Sequence, residues 1–129
     1  TYFGELSKLK LKFGIFINDN LSLEQESKLL YNSKISLNLH DKYQQVLGLD
    51  SNERTFKSLG LNGFLISDNV AEVSNLFPTV PIANNPKEMS NLVEEYLSIL
   101  GLESYKESNR SIIKEQHTYK NRVKQLLSL

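Results

Sequence analysis

The sequence predicts an α/β fold, a Rossmann-like parallel sheet flanked by helices. Three observations carry this. Short apolar runs alternate with longer stretches that bear helical signals. The runs have strand length and are rich in β-branched and aromatic residues. Strand–helix alternation in this order argues for parallel strands joined by right-handed crossovers.

The strand candidates, in order, are residues 13–17 (FGIFI), 34–39 (KISLNL), 63–67 (GFLIS) and a weaker 79–83 (TVPIA). Helix starts between them are marked by a short polar residue followed three positions later by Glu or Gln. The pairs are Ser22 with Gln25, Asp50 with Glu53, Asn69 with Glu72, and Asn85 with Glu88. Pro86 falls at a first helical position, where its missing N–H costs nothing. From there Met89, Leu92, Val93, Tyr96, Leu97 and Leu100 recur at helical spacing, forming one apolar face that Gly101 is expected to end. Residues 103–116 read as a polar helix. Residues 118–127 read as a last helix, with Tyr119, Val123, Leu126 and Leu127 on its apolar side. Four strands are fewer than a full Rossmann-like half carries. The first strand–helix units are therefore expected upstream of Thr1, and residues 1–129 are read as one domain cut from a longer chain.

Composition removes several function classes. Lysine plus arginine and aspartate plus glutamate number 15 each, so no overall field draws the chain to nucleic acid or to an anionic membrane. There is no cysteine, which excludes a disulfide scaffold and thiolate zinc sites and fits a reducing, cytoplasmic location. Two histidines, His40 and His117, are too few for a usual catalytic metal site, so no metal or cofactor is expected. No apolar run approaches the roughly 20 residues of a membrane span. Asn-x-Ser occurs at Asn20 and Asn109 and reads as chance in a chain rich in both residues.

In a parallel sheet, ligands gather beyond the carboxyl ends of the strands. That rule selects the loop from His40 to Ser51, the loop at Ser67, Asp68 and Asn69, and the loop at Asn84 and Asn85. Each leads into a helix amino terminus, where free N–H groups and the dipole favour a phosphate. The familiar glycine-rich phosphate loops are absent. Residues 60–63 (GLNG) hold two glycines and read as a helix end, with Gly63 as its cap.

The stretches 30–40 (LYNSKISLNLH), 52–56 (NERTF), 63–68 (GFLISD), Leu76 with Phe77, and 117–122 (HTYKNR) resemble, in order and spacing, the CgeB-like spore-protein glycosyltransferases. The resemblance spans residues 21–127. It implies the carboxyl-terminal half of a GT-B fold, the half that binds a nucleotide-diphosphate sugar as donor. The facing amino-terminal domain, a partner absent from this chain, would hold most of an acceptor that the sequence does not identify. Such enzymes hold the leaving diphosphate with helix ends and basic side chains and need no bound metal. The fragment alone is then expected to transfer no sugar.

By resemblance, Asn52, Glu53, Arg54 and Thr55 lie where the donor nucleotide sits. Related retaining enzymes carry two glutamates eight positions apart. Aligned on Gly63, those positions are Leu49 and Lys57 here. A glutamate accepts bonds from ribose hydroxyls, whereas a lysine only donates. Glu53 could serve in its place, or the chain could be an inactive binding module.

Each candidate also has a structural reading. Glu53 completes a capping box, and Arg54 is a solvated helix side chain. Thr55 is the least direct of the four, and Phe56 packs in the core. His40, at the ligand edge, makes a structural hydrogen bond. Asp68 caps a helix. His117 caps and packs at the start of the last helix, and Arg122 reaches another helix or the missing domain. A signalling domain of flavodoxin type would want clustered acids, but Asp41, Asp50 and Asp68 are scattered.

Overall fold

The computed structural model describes residues 1–14, 20–49 and 51–129. Three parallel strands form the sheet in the order β1 (Ser36–Asn38), β2 (Leu65–Asp68), β3 (Ile82–Ala83). Leu37 stands opposite Ile66, and Ser67 opposite Ile82. The strand expected at 13–17 falls largely outside the described residues.

Eight α-helices surround the sheet among the described residues: α1 (Tyr2–Leu6), α2 (Leu23–Asn32), α3 (Lys42–Leu47), α4 (Glu53–Gly60), α5 (Ala71–Leu76), α6 (Pro86–Ser98), α7 (Glu103–Gln116) and α8 (Tyr119–Leu127). Alternation along β2 builds two cores. Ile66 joins Leu6, Phe64, Met89 and Val93 under α1 and α6. Leu65 joins Leu59, Val73 and Phe77 under α4 and α5, with Ile112 and Ile113 of α7 closing that side. The sheet is thus covered on both faces, as a parallel sheet must be. No helix among the described residues is long and apolar enough to cross a membrane.

The helix starts divide. Ser22 and Gln25 form the full reciprocal box on α2. Asn85 caps α6, but Glu88 reaches back one residue further, to the amide of Asn84 at 2.8 Å. The cap of α4 is Asn52, whose side chain takes the Thr55 amide, and Asp50, expected to cap, lies outside the described residues. Asn69 does not cap α5, which begins after Val70 with no side-chain cap. The Glu72 amide instead bonds the carbonyl of Gly48 at 3.0 Å. A backbone carbonyl from the β1–α4 connection has taken the place of the expected side chain.

Two helix ends and one helix face also differ from expectation. After α4 the left-handed residue is Asn62, with φ of 65°. The Asn62 and Gly63 amides turn back to Leu59 and Ser58, which makes a Schellman end in which Gly63, the expected cap, falls one position past the left-handed residue. Gly63 is required for closeness instead. A Cβ there would lie 2.7 Å from Ser58 Oγ. Helix α6 stops at Ser98, so Leu100 leaves the apolar face and is 97% exposed. On α8 the apolar stripe exists but covers nothing among the described residues, and Tyr119, Val123, Leu126 and Leu127 are all exposed.

Helix α1 has no counterpart in the sequence reading. It is five residues long and contains Gly4, so no period could develop. Packing on α6 buries Leu6 and supplies what propensity does not.

Candidate donor site at the carboxyl edge of the sheet

Four of the six expected site residues meet in one buried polar network. His40 leaves β1 and donates its amide to Asp68 Oδ2 at 2.8 Å. Its Nδ1 lies 2.6 Å from Asp68 Oδ1, and both side chains are sealed from solvent. Gln45 of α3 donates to the same carboxylate at 2.6 Å. With Nδ1–H given to the carboxylate, Nε2 is left to accept the Asn52 amide at 3.4 Å. Asn52 then donates to Asn38 Oδ1 at 2.8 Å, and Asn38 donates to Thr55 Oγ1 at 2.8 Å. The chain of contacts runs without a break from α3 to α4 across the ends of β1 and β2.

This arrangement corrects the reading of Asp68. Its carboxylate caps no helix, because three donors from the β1–α4 connection occupy it. A buried carboxylate is tolerable only with such partners. His40 makes the structural bond expected of it. Thr55 is wholly buried, and its hydroxyl is used between Asn38 and Asn52.

Glu53 and Arg54 are different. Both lie exposed on the first turn of α4. The capping box expected of Glu53 involves Asp50, outside the described residues, and its carboxylate pairs with Lys57 at 3.3 Å. Lys57 also meets Glu26 of α2 at 3.2 Å, and both side chains there are about one-third exposed (35% and 33%). The bond to Glu26, then that to Glu53, holds the Lys57 ammonium charged above the ordinary lysine range. Arg54 has no carboxylate partner among the described residues. It borders a cavity of about 100 Å³ between α2, β1 and α4, together with Glu26, Ser36, Lys57 and Ser58.

The helix ends at this edge are mostly satisfied from within. Asp41 caps α3, Asn52 caps α4, Gly48 serves α5, and Asn85 with Glu88 closes α6. Bonds to Asn84 hold the Glu88 carboxyl below its usual range. On α4 the amides of Glu53 and Arg54 make no bond among the described residues.

His117 sits far from this edge in role. It ends α7 and packs its ring 5.5 Å from those of Phe56 and Phe77, while Thr118 caps α8. Arg122 of α8 lies 3.0 Å from its Nδ1, a link back to the residue that ends α7. Asn109 is buried and accepts from Thr79, consistent with a chance glycosylation match.

Sequence reasoning missed Asn38, Gln45 and Glu26. Asn38 alternates with Leu37 and Leu39, which reads as a solvent-facing position. It is buried because α4 covers that face. Nothing in the spacing marks Gln45 or Glu26.

A three-stranded parallel sheet with helices on both faces and a polar site at its carboxyl edge defines a partial Rossmann-like domain. The sequence model of a family described as glycosyl transferase-like matches residues 5–128, and the chain belongs to that family. No curated protein and no solved structure matches it.

Proposed function

We propose that this chain is the donor-binding domain of a GT-B glycosyltransferase and holds a nucleotide-diphosphate sugar, within the CgeB-like branch of the family. The observation that carries this is the first turn of α4. Two of its amides and Arg54 have no partner among the described residues, on a helix tied down by Asn38 and Asn52 beside the end of β1. Amides at a helix start and a guanidinium suit a diphosphate. In the proposed reaction the bond from the anomeric carbon to the diphosphate oxygen breaks, and an acceptor oxygen takes that carbon. Charge builds on the leaving diphosphate, which α4 and Arg54 would stabilise. The acceptor and its facing domain belong to the longer protein.

An NMR titration of residues 1–129 with a panel of nucleoside diphosphates and their sugar conjugates tests this. Shifts centred on residues 52–57 and on the loops at His40 and Asp68 are expected, for one base above the others. Absence of shifts in both this chain and the full-length protein would refute the reading.

A further inference from the structure

The pairing of Glu26 with Lys57 has a chemical consequence for the cavity it borders. Lys57 donates to Glu26 Oε2 and is ion-paired with Glu53 Oε1, which leaves one of its three N–H donors without an acceptor among the described residues. Glu26 Oε1 takes no bond among the described residues. A free donor and a free acceptor therefore stand side by side at the rim of the cavity of about 100 Å³ between α2 and α4. Leu30, Leu37 and Leu65 give the lining an apolar floor, with Ser36, Asn38 and Ser58 beside it and Arg54 on the α4 side.

The ligand chemistry that fits a donor next to an acceptor above an apolar floor is a vicinal diol on a sugar ring. One hydroxyl donates to Glu26, its neighbour accepts from Lys57, and the ring's C–H face lies on the leucines. We infer that Glu26 and Lys57 form a diol-binding subsite, with Glu26 supplying from α2 the carboxylate acceptor that α4 lacks at Lys57. This rests on the glycosyltransferase reading and adds a binding residue to it. The diol belongs either to the ribose of the nucleotide or to the transferred sugar.

Calorimetric titration of the chain with uridine and guanosine diphosphates, their 2′-deoxy forms and glucose 1-phosphate separates the possibilities. The diol subsite predicts that Glu26→Gln weakens the preferred probe about tenfold, the size of one hydrogen bond to a charged group. Lys57→Gln should do the same, while both variants keep the wild-type thermal midpoint within a few degrees. If the ribose is held, wild type prefers the ribo form to the 2′-deoxy form and Glu26→Gln loses that preference. If the sugar is held, the loss is seen with glucose 1-phosphate. Diphosphate binding that is weakened by Arg54→Ala but indifferent to Glu26→Gln overturns the subsite and leaves the donor reading standing. No binding of any probe overturns both.

Discussion

His40 Nδ1 and Asp68 Oδ1 lie 2.6 Å apart, with neither side chain open to solvent. Asp68 also accepts from the His40 amide and from Gln45, both in the β1–α4 connection. The pair is therefore a clamp that sets where that connection runs, and through Asn52 it sets the start of α4. Asp68→Ala leaves three donors without their acceptor. Each buried unsatisfied group costs about 1–3 kcal/mol, so a loss of about 3 kcal/mol or more is expected. Urea unfolding measures it, and a loss under about 1 kcal/mol would mean that the network is not sealed.

Asn38 is the second joint. It bonds both Asn52 and Thr55 from a fully covered strand position. Asn38→Leu keeps the volume but strands a hydroxyl and an amide, at about 1–3 kcal/mol. Amide exchange should speed up in the first turn of α4 more than in α6. Uniform acceleration across both helices would argue against a local joint.

Glycine 63 is confined by distance. A Cβ there would meet the Ser58 carbonyl at 2.8 Å as well as its hydroxyl, and neither is a flexible chain end. Gly63→Ala should cost about 1–3 kcal/mol, the range for overpacking. A thermal midpoint equal to wild type would show that the α4–β2 turn can open at no cost.

The two ends of the predicted α6 stripe should behave oppositely. Met89 is fully buried, and Met89→Ala is expected to cost about 2–5 kcal/mol. Leu100 is exposed beyond the helix, and Leu100→Ala should fall within about 0.5 kcal/mol. Denaturation midpoints of the two variants check this directly, and comparable losses would contradict the helix end at Ser98.

His117 gives a pH dependence with a definite sign. Burial against Phe56 and Phe77, and then the charge of Arg122, push its pKa below the ordinary 6.5, while Glu72 opposes them. Below pH 6.5 the unfolded chain binds a proton here that the folded chain does not. This contribution to stability is complete above pH 6.5 and is lost as pH falls through the lowered folded value. His117→Phe should flatten the stability profile in that window, measured by thermal melts at stepped pH. A variant with an unchanged slope below pH 6.5 would assign the dependence to other groups.

The elements that local chemistry alone specifies were legible in the sequence. Short apolar runs rich in β-branched and aromatic residues marked β1, β2 and β3, and the Ser22–Gln25 box and Pro86 marked the starts of α2 and α6. These signals survive because hydrogen bonds three residues apart and side-chain alternation need no distant partner. The family resemblance likewise rests on short blocks, and the glycosyl transferase-like match over residues 5–128 bears out its coarser part.

Tertiary structure decided the rest. Asn69 has the cap signature of Asn85, but the start of α5 is taken by Gly48, and α4 is capped by Asn52, which Asn38 holds in place. Asp68 reads as a cap until β1 is placed beside β2, which brings His40 to it across 28 residues. Glu26 reads as an ordinary helix surface charge until α2 lies near α4, 31 residues on. A sequence records which groups can bond, but a bond is made only when folding ends both groups' competition with water at the same place. For Asn38, His40, Asp68 and Glu26 that place is set by strand pairing and helix packing, not by neighbours in the chain.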